Sequence, residues 1–320
     1  MTIQQLRYII AVVENGSITE AAKKLYISQP SLSNSIKDVE KEAGVTIFIR
    51  SRSGIALTKE GTEFVGYARQ VIQQMELLED KYISHLPPKT RFGVSTQHYT
   101  FTTNAFVEMV EQFGQERFEF ILNETQTHQI IEDVKNRFSD LGILYLCKNN
   151  EAVIRRALEE AKLVFYELFT AKPHVFMRST HPLAKNQFVT LKELEQYPRL
   201  NFIQGSYESS YFAEELFSTV PAEKNIKVSD RGAIVNLMIG MDAYTISSGI
   251  FPRYLQGDKI IAVPLAEDEE MRIGYILNEK QELSELGQLY INALKKYEKN
   301  MENRFHSFKL WISISKRHFI

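Results

Sequence analysis

Apolar residues near the start of the chain recur at helical spacing and predict three short helices. In the first helix, which Asn15-Gly16 ends, the apolar side consists of Leu6, Ile9, Ile10 and Val13. The second begins at a Ser17–Glu20 capping box, and its apolar side consists of Ile18, Ala21, Ala22 and Leu25. The third begins with Ser28 as its N-cap and ends at Gly44, and its apolar side consists of Leu32, Ile36, Val39 and Ala43. The tight connection between the second and third helices is typical of a helix-turn-helix motif.

A β-hairpin is predicted directly after the third helix. Two β-prone runs, 45–50 and 55–58, flank a glycine-containing turn at 51–54. The hairpin would stand beside the three helices as the wing of a winged helix-turn-helix.

The side of the third helix opposite its apolar residues is polar. Its hydroxyl, amide and ammonium groups are of the kinds that read base edges and hold phosphates, and the hairpin adds guanidinium groups near its tip. The candidate DNA-binding residues are Gln29, Pro30, Ser31, Ser33, Asn34, Lys37, Arg50 and Arg52. Residues 1–58 carry a local charge of +2, although the whole chain carries −2. A uniformly basic coat is therefore excluded, whereas a local basic site is not.

A long amphipathic pattern follows the hairpin and predicts a helix from the N-cap Thr58 to about residue 85, before Pro87-Pro88. Two rows of apolar residues, each with a period of seven, form a stripe typical of a coiled-coil seam. The stripe consists of Phe64, Ala68, Val71, Met75, Leu78 and Tyr82. We predict that this helix pairs with a second copy of the chain; the alternative is a helix lying on its own domain. Gly61 and Gly66 are weak helix formers and suggest a flexible joint.

From residue 90 onward the pattern alternates between strands and helices, as in a doubly wound α/β sheet. Strands are predicted at 92–95, 118–124, 141–146, 163–169, 173–178, 199–203, 226–229, 244–247, 259–263 and 271–277. Helices are predicted at 101–113, 129–138, 151–160, 191–196, 209–217, 231–240 and 284–299. About two hundred residues of this pattern favour two lobes over one large sheet. The segment from 300 to 320 contains an alternation that suggests a strand, and its role is not predicted.

The first sixty residues contain several motifs at fixed spacing. They are Leu6-x-x-Ile9, Gly16-Ser17-Ile18-Thr19-x-Ala21-Ala22-x-x-Leu25, Ser28-Gln29-Pro30-Ser31-Leu32-Ser33, Phe48-x-Arg50 and Leu57-Thr58-x-x-Gly61. Together they resemble the N-terminal signature of LysR-type transcriptional regulators. Ile18 stands where phenylalanine is common in that family, and Asn34 where a basic residue is frequent. The second departure leaves the base preference at that position open.

The resemblance implies a winged helix-turn-helix at 1–58, a linker helix for dimerisation at 59–88, and a two-lobed α/β effector domain at 89–300, like a periplasmic binding protein. We expect crossover strands near Leu163–Phe169 and Val263–Met271, with lobe one at 90–162 and 270–300 and lobe two at 163–268. The implied function is transcriptional regulation through double-stranded DNA, modulated by a small-molecule effector. The implied assembly is a homodimer, or a homotetramer built from it.

Ligands of open α/β sheets bind beyond the carboxyl ends of strands, where helix N-termini also supply N–H groups for anions. The candidate effector-binding residues at such ends are Ser95, Thr96, Gln97, Thr125, Gln204 and Ser206. Ser247-Ser248-Gly249 also follows a strand in this way, and for any one of these hydroxyls a plain capping role is the alternative. Because the candidates include donors but no fixed positive side chain, they favour a small carboxylate or sulfate-like anion. Thr96-Gln97 also resembles the ligand loop of the LysR-type regulators of cysteine biosynthesis.

Composition and motifs narrow the function classes further. The single cysteine, Cys147, permits no internal disulfide or multi-cysteine zinc site, and no histidine pair has metal-binding spacing. Nucleotide-binding and hydrolase motifs are absent from the sequence, so we expect neither an enzyme nor a cofactor. Acidic residues of the predicted helices, such as Asp133, are most simply solvated.

The expected location is the cytoplasm. The start of the sequence lacks the basic stretch and apolar run of a signal peptide, and no apolar run reaches the length of a membrane span. A second hypothesis, from another class, is a cytoplasmic small-molecule-binding protein or metabolic enzyme whose N-terminal helices only oligomerise it.

Overall fold

The computed structural model describes residues 1–51, 54–83, 89–114, 117–205, 209–250 and 259–297. The chain divides into two compact units, the first consisting mainly of Met1–Arg91 and the second of most of the remainder. The elements of the first unit are α1 (Ile3–Asn15), α2 (Ile18–Lys24), α3 (Gln29–Ala43), β1 (Phe48–Ser51), β2 (Gly54–Leu57) and α4 (Lys59–Tyr82). The described part of the chain contains no helix long and apolar enough to cross a membrane.

The short helices of the first unit are delimited by the predicted caps. Gly16 takes a left-handed conformation with φ of 61° and ends α1. The Ser17 side chain accepts a hydrogen bond from the backbone N–H of Glu20, as predicted. The Glu20 carboxylate accepts from Lys23 at 2.8 Å, however, so the reciprocal half of the predicted capping box does not form. Ser28 caps α3 by accepting from the N–H of Ser31.

A shared hydrophobic core holds α1, α2 and α3 together. Its buried members are Ile9, Val12, Ala21, Ala22, Leu32, Ile36, Val39, Ile47 and Val65. Most of the predicted apolar positions of the three helices pack in or against this core. Ala43 is the exposed residue among them: the pattern predicts burial, but the residue lies in the last turn of α3 beyond Val39.

The hairpin pairs antiparallel, with Phe48 opposite Leu57 and Ser51 opposite Gly54. The two residues that connect its strands, 52 and 53, lie outside the described residues. At the start of α4, a Cβ on Gly61 would lie 2.1 Å from the backbone oxygen of Ile47. This close approach, rather than the predicted flexible joint, explains the glycine at this position.

The second unit begins with an α/β lobe. Its elements are β3 (Thr90–Thr96), α5 (Thr100–Phe113), β4 (Phe118–Glu124), α6 (Thr127–Lys135), β5 (Leu141–Leu146), α7 (Glu151–Glu160), β6 (Leu163–Ala171), β12 (Met271–Asn278) and a final helix described over 285–297. The strands form one sheet in the order β4-β3-β5-β12-β6. β3 runs parallel to β5, whereas β12 is antiparallel to both β5 and β6.

The other lobe has smaller sheets. Its elements are β7 (His174–Arg178), α8 (Leu191–Leu194), β8 (Arg199–Phe202), a 3-10 turn (Ser210–Phe212), β9 (Asn225–Val228), α9 (Arg231–Gly240), β10 (Thr245–Ser247) and β11 (Ile260–Pro264). β7 lies between β10 and β11, and β8 pairs in parallel with β9. A single bridge between Arg199 and Tyr244 links these two groups of strands. Where a helix was predicted at 209–217, the structure has only the 3-10 turn at Ser210–Phe212 among its described residues.

The first of the two predicted connections between the lobes is placed differently, whereas the second lies where it was predicted. β6 pairs with β12 from Leu163 to Ala171, so the strand predicted to cross between lobes is an edge strand of the first sheet. The chain passes to the second lobe only after Ala171 and returns between Pro264 and Met271. Because Ala171 is paired with Met271, the two connections leave the first sheet side by side.

Candidate functional site

The polar face of α3 is presented to solvent because Leu32, Ile36 and Val39 hold the opposite face in the core. Pro30, Ser31, Asn34 and Lys37 are exposed, whereas Gln29 and Ser33 are half-buried. The Gln29 amide donates to the Ser33 hydroxyl at 2.9 Å across one helical turn. Six of the predicted DNA-binding residues thus lie on α3 outside its buried face, and four of them are exposed.

The remaining two predicted DNA-binding residues belong to the wing. The backbone of Arg50 pairs with Ile55 within the hairpin. Arg52 lies outside the described residues. That the guanidinium groups of Arg50 and Arg52 contact DNA therefore stays a prediction.

A carboxylate that the sequence analysis did not single out fixes the wing to α3. Glu40 Oε1 accepts hydrogen bonds from the backbone N–H groups of Ile47 at 2.7 Å and Phe48 at 3.1 Å. The backbone N–H of Thr58 donates to the Ile47 carbonyl at 3.0 Å. The start of the hairpin is thereby bound to α3 on one side and to α4 on the other, so that the helix and the wing form one surface.

The predicted apolar stripe of α4 is buried at its start and exposed farther along the helix. Phe64 packs against the core of the first unit, and Ala68 is buried. Val71 and Leu78 are 44% and 49% exposed, Met75 between them is half-buried, and Tyr82 is exposed. An exposed apolar strip therefore begins at Val71, one heptad later than the sequence pattern suggests.

A cavity of about 60 Å³ lies between the two lobes of the second unit. The first lobe contributes its wall at the end of β3 and the start of α5, namely His98, Tyr99 and Thr100. The second lobe contributes an apolar wall, namely Phe176, Phe202, Ile234, Val235, Met238, Ile246 and Ile250. Its polar contributions are Glu214, Glu215, Arg231, Thr245 and Ser247.

His98 and Glu214 join the lobes across this cavity. The backbone N–H of His98 donates to Glu214 Oε2 at 2.8 Å, and His98 Nδ1 lies 2.9 Å from the same oxygen. The imidazole ring stacks on Phe202 with ring centres 4.0 Å apart. Burial lowers the pKa of His98, but the hydrogen bond and the charge of Glu214 raise it by more, so that the pKa lies above its ordinary value. A protonated imidazole at this position strengthens the contact.

Arg231 is a second bridge between the lobes. It is the first residue of α9, and its Nη2 donates to Glu124 Oε1 at 2.9 Å and to Thr103 Oγ1 at 3.3 Å. Its Nη1 is buried and has no hydrogen-bond partner among the described residues. The candidates named from the sequence include no positively charged side chain, whereas the wall of this cavity includes the guanidinium group of Arg231.

Glu215 is the most unusual carboxyl group of the cavity. Its Oε1 accepts from the backbone N–H of Phe202 at 2.8 Å, while its Oε2 is buried without a hydrogen-bond partner in the described ranges. Burial and the neighbouring charge of Glu214 raise the pKa of Glu215 to about 8. This carboxyl group is therefore mostly protonated at neutral pH.

The residues predicted from strand ends lie beside the cavity rather than in its lining. Ser95, Thr96 and Gln97 are completely buried. The Ser95 hydroxyl donates to Asp133 at 2.6 Å, and the Thr96 hydroxyl donates to the backbone oxygen of Gln97. Gln97 in turn donates to Thr127 Oγ1 at 2.6 Å. These three side chains serve the internal structure of the first lobe.

The other predicted effector residues differ in position. Thr125 donates its backbone N–H to the Thr96 carbonyl. Gln204 donates to Glu214 Oε1 at 3.3 Å and so contacts the lining without forming it. Ser206 lies outside the described residues. Of the serines noted after β10, Ser247 does line the cavity.

Asp133 and Cys147 are both buried in the second unit. The interpretation of Asp133 as solvated is wrong, because this residue is buried and accepts from Ser95, Asn123 and Gln129. Cys147 is buried, and burial raises the pKa of its thiol. Over the described ranges, no cluster of His, Cys, Asp and Glu is suited to hold a metal ion.

The lining residues that sequence reasoning missed carried weak signals. His98 directly follows the strand-end loop, and Arg231 opens a helix that its neighbour Asp230 caps. Glu214 and Glu215 belong to a segment predicted as a helix, where carboxylates are usually solvated. Only their burial against Phe202 and His98 distinguishes them from surface residues.

Comparisons with protein families match both units. The family described as bacterial regulatory helix-turn-helix protein, lysR family, matches residues 3–62. The family described as LysR substrate binding domain matches residues 93–299, which is more than half of the chain. The two matches cover the winged helix-turn-helix and the two-lobed unit.

Curated relatives and solved structures agree with these matches. The uncharacterised HTH-type transcriptional regulator YvbU of Bacillus subtilis is 28% identical over 66% of this chain and 69% of its own length. The DNA-binding transcriptional dual regulator OxyR of Escherichia coli is 27% identical over 61% of each chain. A full-length OxyR variant from Pseudomonas aeruginosa is 18% identical, with a TM-score of 0.60 over 92% of this chain and 95% of its own. The LysR family regulator CbnR is 15% identical, with a TM-score of 0.55 over 92% and 99%. The two structural likenesses establish the fold.

Proposed function

Because this chain belongs to the LysR family of DNA-binding transcriptional regulators, we propose that it reads its operator with α3 and the wing and responds to a small carboxylate bound between the lobes. The observation that carries the DNA-reading part is the solvent-facing polar side of α3, held to the wing through Glu40. The family membership disfavours the alternative of an enzyme that uses its N-terminal helices only to oligomerise. The protein would act in the cytoplasm, where its DNA lies.

The assembly we propose is a homodimer joined through α4, with a homotetramer as the next level. Support comes from Val71 and Leu78, apolar side chains that one copy of the chain leaves exposed. Covering them with the same strip of a second copy would remove apolar surface from water. Two copies would then present two α3 helices to half-sites of one operator.

The direct test of the regulatory function is a gel-shift titration of the full chain on its own upstream DNA and on random DNA of equal length. We expect binding to the upstream fragment to be at least about a thousandfold tighter than to random DNA at the same salt concentration, as is common for specific regulators. Equal affinity for both fragments would contradict sequence-specific reading.

A first prediction separates base reading from phosphate binding. Gln29→Ala or Ser33→Ala should cost about 1–3 kcal/mol on the specific site and little on random DNA, because these groups would contact base edges. Arg50→Ala or Arg52→Ala should weaken binding on both fragments and flatten the salt slope by about one unit. Titrations at several salt concentrations measure both effects, and equal responses of the two classes would disprove this division.

The effector part of the proposal rests on Arg231. Guanidinium groups bind carboxylates through paired, charge-assisted hydrogen bonds, and Arg231, which lines the cavity, has a buried Nη1 donor without a hydrogen-bond partner among the described residues. The polar hydroxyls of Thr100, Thr245 and Ser247 line the same space. This arrangement supports a small ligand with a carboxylate group, as the sequence led us to expect, although Arg231 was not among the candidates.

A second prediction tests this site in a reporter strain. Arg231→Gln should raise the effector concentration for half-maximal response at least tenfold, because a lost hydrogen bond to a charged ligand costs about 1.5–3 kcal/mol. Thr96→Val is the control, since the Thr96 hydroxyl donates to the backbone oxygen of Gln97 and lies beside the cavity lining, and its response should stay unchanged. A reversed order of the two variants would return Thr96 to the site and remove Arg231.

Sensing of peroxide through a thiol is not what the residues favour. Several relatives are named hydrogen peroxide-inducible genes activators. Reactive thiols are exposed and have a lowered pKa, whereas Cys147 is buried and its pKa is raised. We therefore propose a reversible ligand rather than oxidation as the signal.

A further inference from the structure

Two residues that line the interlobe cavity each have a buried polar atom without a hydrogen-bond partner among the described residues. One is Nη1 of Arg231, a cationic donor. The other is Oε2 of Glu215, a carboxyl oxygen on a residue that is only 3% exposed. Buried polar groups are nearly always hydrogen-bonded in folded proteins. Two such groups in the wall of one cavity point to a ligand that satisfies both.

We propose that the effector is a zwitterion, an α-amino acid with an apolar side chain, whose carboxylate binds Arg231 and whose ammonium group binds Glu215. This inference rests on the proposed function of the cavity and specifies its ligand. An ammonium group has three donors and no acceptor, which suits a carboxyl oxygen. A simple carboxylic acid would satisfy only the guanidinium end.

The carboxyl groups around the cavity favour a ligand that carries an ammonium group. Arg231 is already paired with Glu124, and His98 with Glu214. A monoanion would therefore add a negative charge beside Glu214 and Glu215, whereas a zwitterion places its ammonium group next to them. The site also excludes ligands that are polar throughout, because the wall formed by α9 is apolar.

That apolar wall defines the side chain of the ligand. Ile234, Val235 and Met238 project from α9, and Ile246 and Ile250 adjoin them in the lining. Branched and unbranched aliphatic side chains pack well against such a surface. Leucine, isoleucine, valine and methionine are thus the amino acids to test.

Binding of an ammonium group should also release a proton. Burial is the largest cause of the raised pKa of Glu215, and the neighbouring charge of Glu214 raises it further. The charge of Arg199 lowers it. The other titratable groups near this carboxyl group are Tyr99 in the lining of the main cavity and Tyr145 and Cys147 in a smaller neighbouring cavity that Glu215 also lines. A carboxyl group that is mostly protonated in the free protein would ionise beside an ammonium group. The buffer would take up the proton that it releases.

The experiment is isothermal titration calorimetry of the full chain at pH 7 with leucine and two matched analogues. The acid 4-methylpentanoate lacks the ammonium group, and 3-methylbutylamine lacks the carboxylate. We expect leucine or another member of the aliphatic set to bind at least tenfold more tightly than either of its analogues. Its observed enthalpy should differ between phosphate and Tris buffers, since a released proton is taken up by buffers of different ionisation enthalpy.

Substitutions of Glu215 and Arg231 test which residue binds each end of the ligand. Glu215→Gln keeps the shape of the side chain and should weaken the amino acid at least tenfold, remove the buffer dependence, and change the affinity of 4-methylpentanoate less than threefold. Arg231→Gln should weaken both ligands. Glu195→Gln, the same substitution at an exposed position of the same lobe, is the control, and a gel shift verifies that each variant is folded.

Each outcome has a defined meaning. Equal affinity for 4-methylpentanoate and leucine would overturn the zwitterion and leave the carboxylate effector intact. If no amino acid of the aliphatic set binds below 1 mM, the proposed ligand class is wrong. If Arg231→Gln also leaves the effector response unchanged, the proposed function of the cavity fails with it. The titrations of the unmodified protein decide the ligand class even if a variant does not fold.

Discussion

The double substitution Val71→Asp plus Leu78→Asp should convert the protein to a monomer and abolish operator binding. Both side chains lie on the exposed apolar strip of α4, at 44% and 49% exposure in the single copy. In a dimer joined through this strip, two aspartates per chain place four carboxylates in one seam. An unpaired buried charge costs several kcal/mol, so the seam would lose on the order of 10 kcal/mol.

The loss of DNA binding follows from the loss of pairing. One chain presents one α3 helix, whereas a dimer binds two half-sites with the second contact made intramolecularly. Operator affinity should therefore fall by about a hundredfold or more. Sedimentation equilibrium should detect a species of 37.0 kDa, and gel shifts should detect the lower affinity.

The matched control adds the same charge to the same helix. Gln70→Asp plus Gln73→Asp introduces two carboxylates on α4 outside the row of Val71 and Leu78, at one half-buried and one exposed position, and this variant should remain dimeric. If the first variant stays dimeric, α4 does not hold the subunits together and the interface must be sought on the lobes. If both variants dissociate, the effect is one of net charge rather than of the strip.

The second large effect is expected from Gly61→Ala, which should destabilise the first unit. The new methyl group would meet the backbone oxygen of Ile47 at 2.1 Å, a distance that requires the helix or the hairpin to move. Overpacking of this kind costs about 1–3 kcal/mol, and contact with backbone places it at the upper end. The better helix propensity of alanine returns roughly 1 kcal/mol, leaving a net loss of about 2 kcal/mol.

Hydrogen exchange measures this loss without requiring the unit to be isolated. A net loss of about 2 kcal/mol makes the core amides of α1, such as those of Ile9 and Val12, exchange roughly thirtyfold faster. DNA binding should weaken as well, because Ile47 also accepts the N–H of Thr58 and donates to Glu40. Unchanged exchange would show that the hairpin can move at little cost.

Gly66→Ala provides the comparison within the same helix. The nearest atom to a Cβ at this position lies at 3.8 Å, an ordinary contact. Alanine should therefore stabilise α4 by about 0.5–1 kcal/mol and slow exchange by a few-fold. A loss of stability in both variants would mean that α4 requires glycine for flexibility, as its sequence first suggested.

Local physics allowed much of the fold to be predicted from the sequence. Helix period, N-capping serines and left-handed glycines act within a few residues, and they located α1, α2 and α3 closely. The same was true of β4, β5 and α9, whose predicted bounds match the observed ones. The motifs at Ser28–Ser33 and Leu57–Gly61 indicate the LysR family from the sequence alone, in agreement with the family match over residues 3–62.

The sequence by itself therefore determined the winged helix-turn-helix, the existence of the long helix α4 and the α/β class of the second unit. Only the tertiary structure decided which residues form the cavity, because His98 contacts Glu214 across a sequence separation of 116 residues and the two belong to different lobes. It also decided that Glu40 holds the wing and that Glu215 keeps its proton. Burial and neighbouring charge set the state of a carboxyl group, and neither can be read from the residues on either side of it.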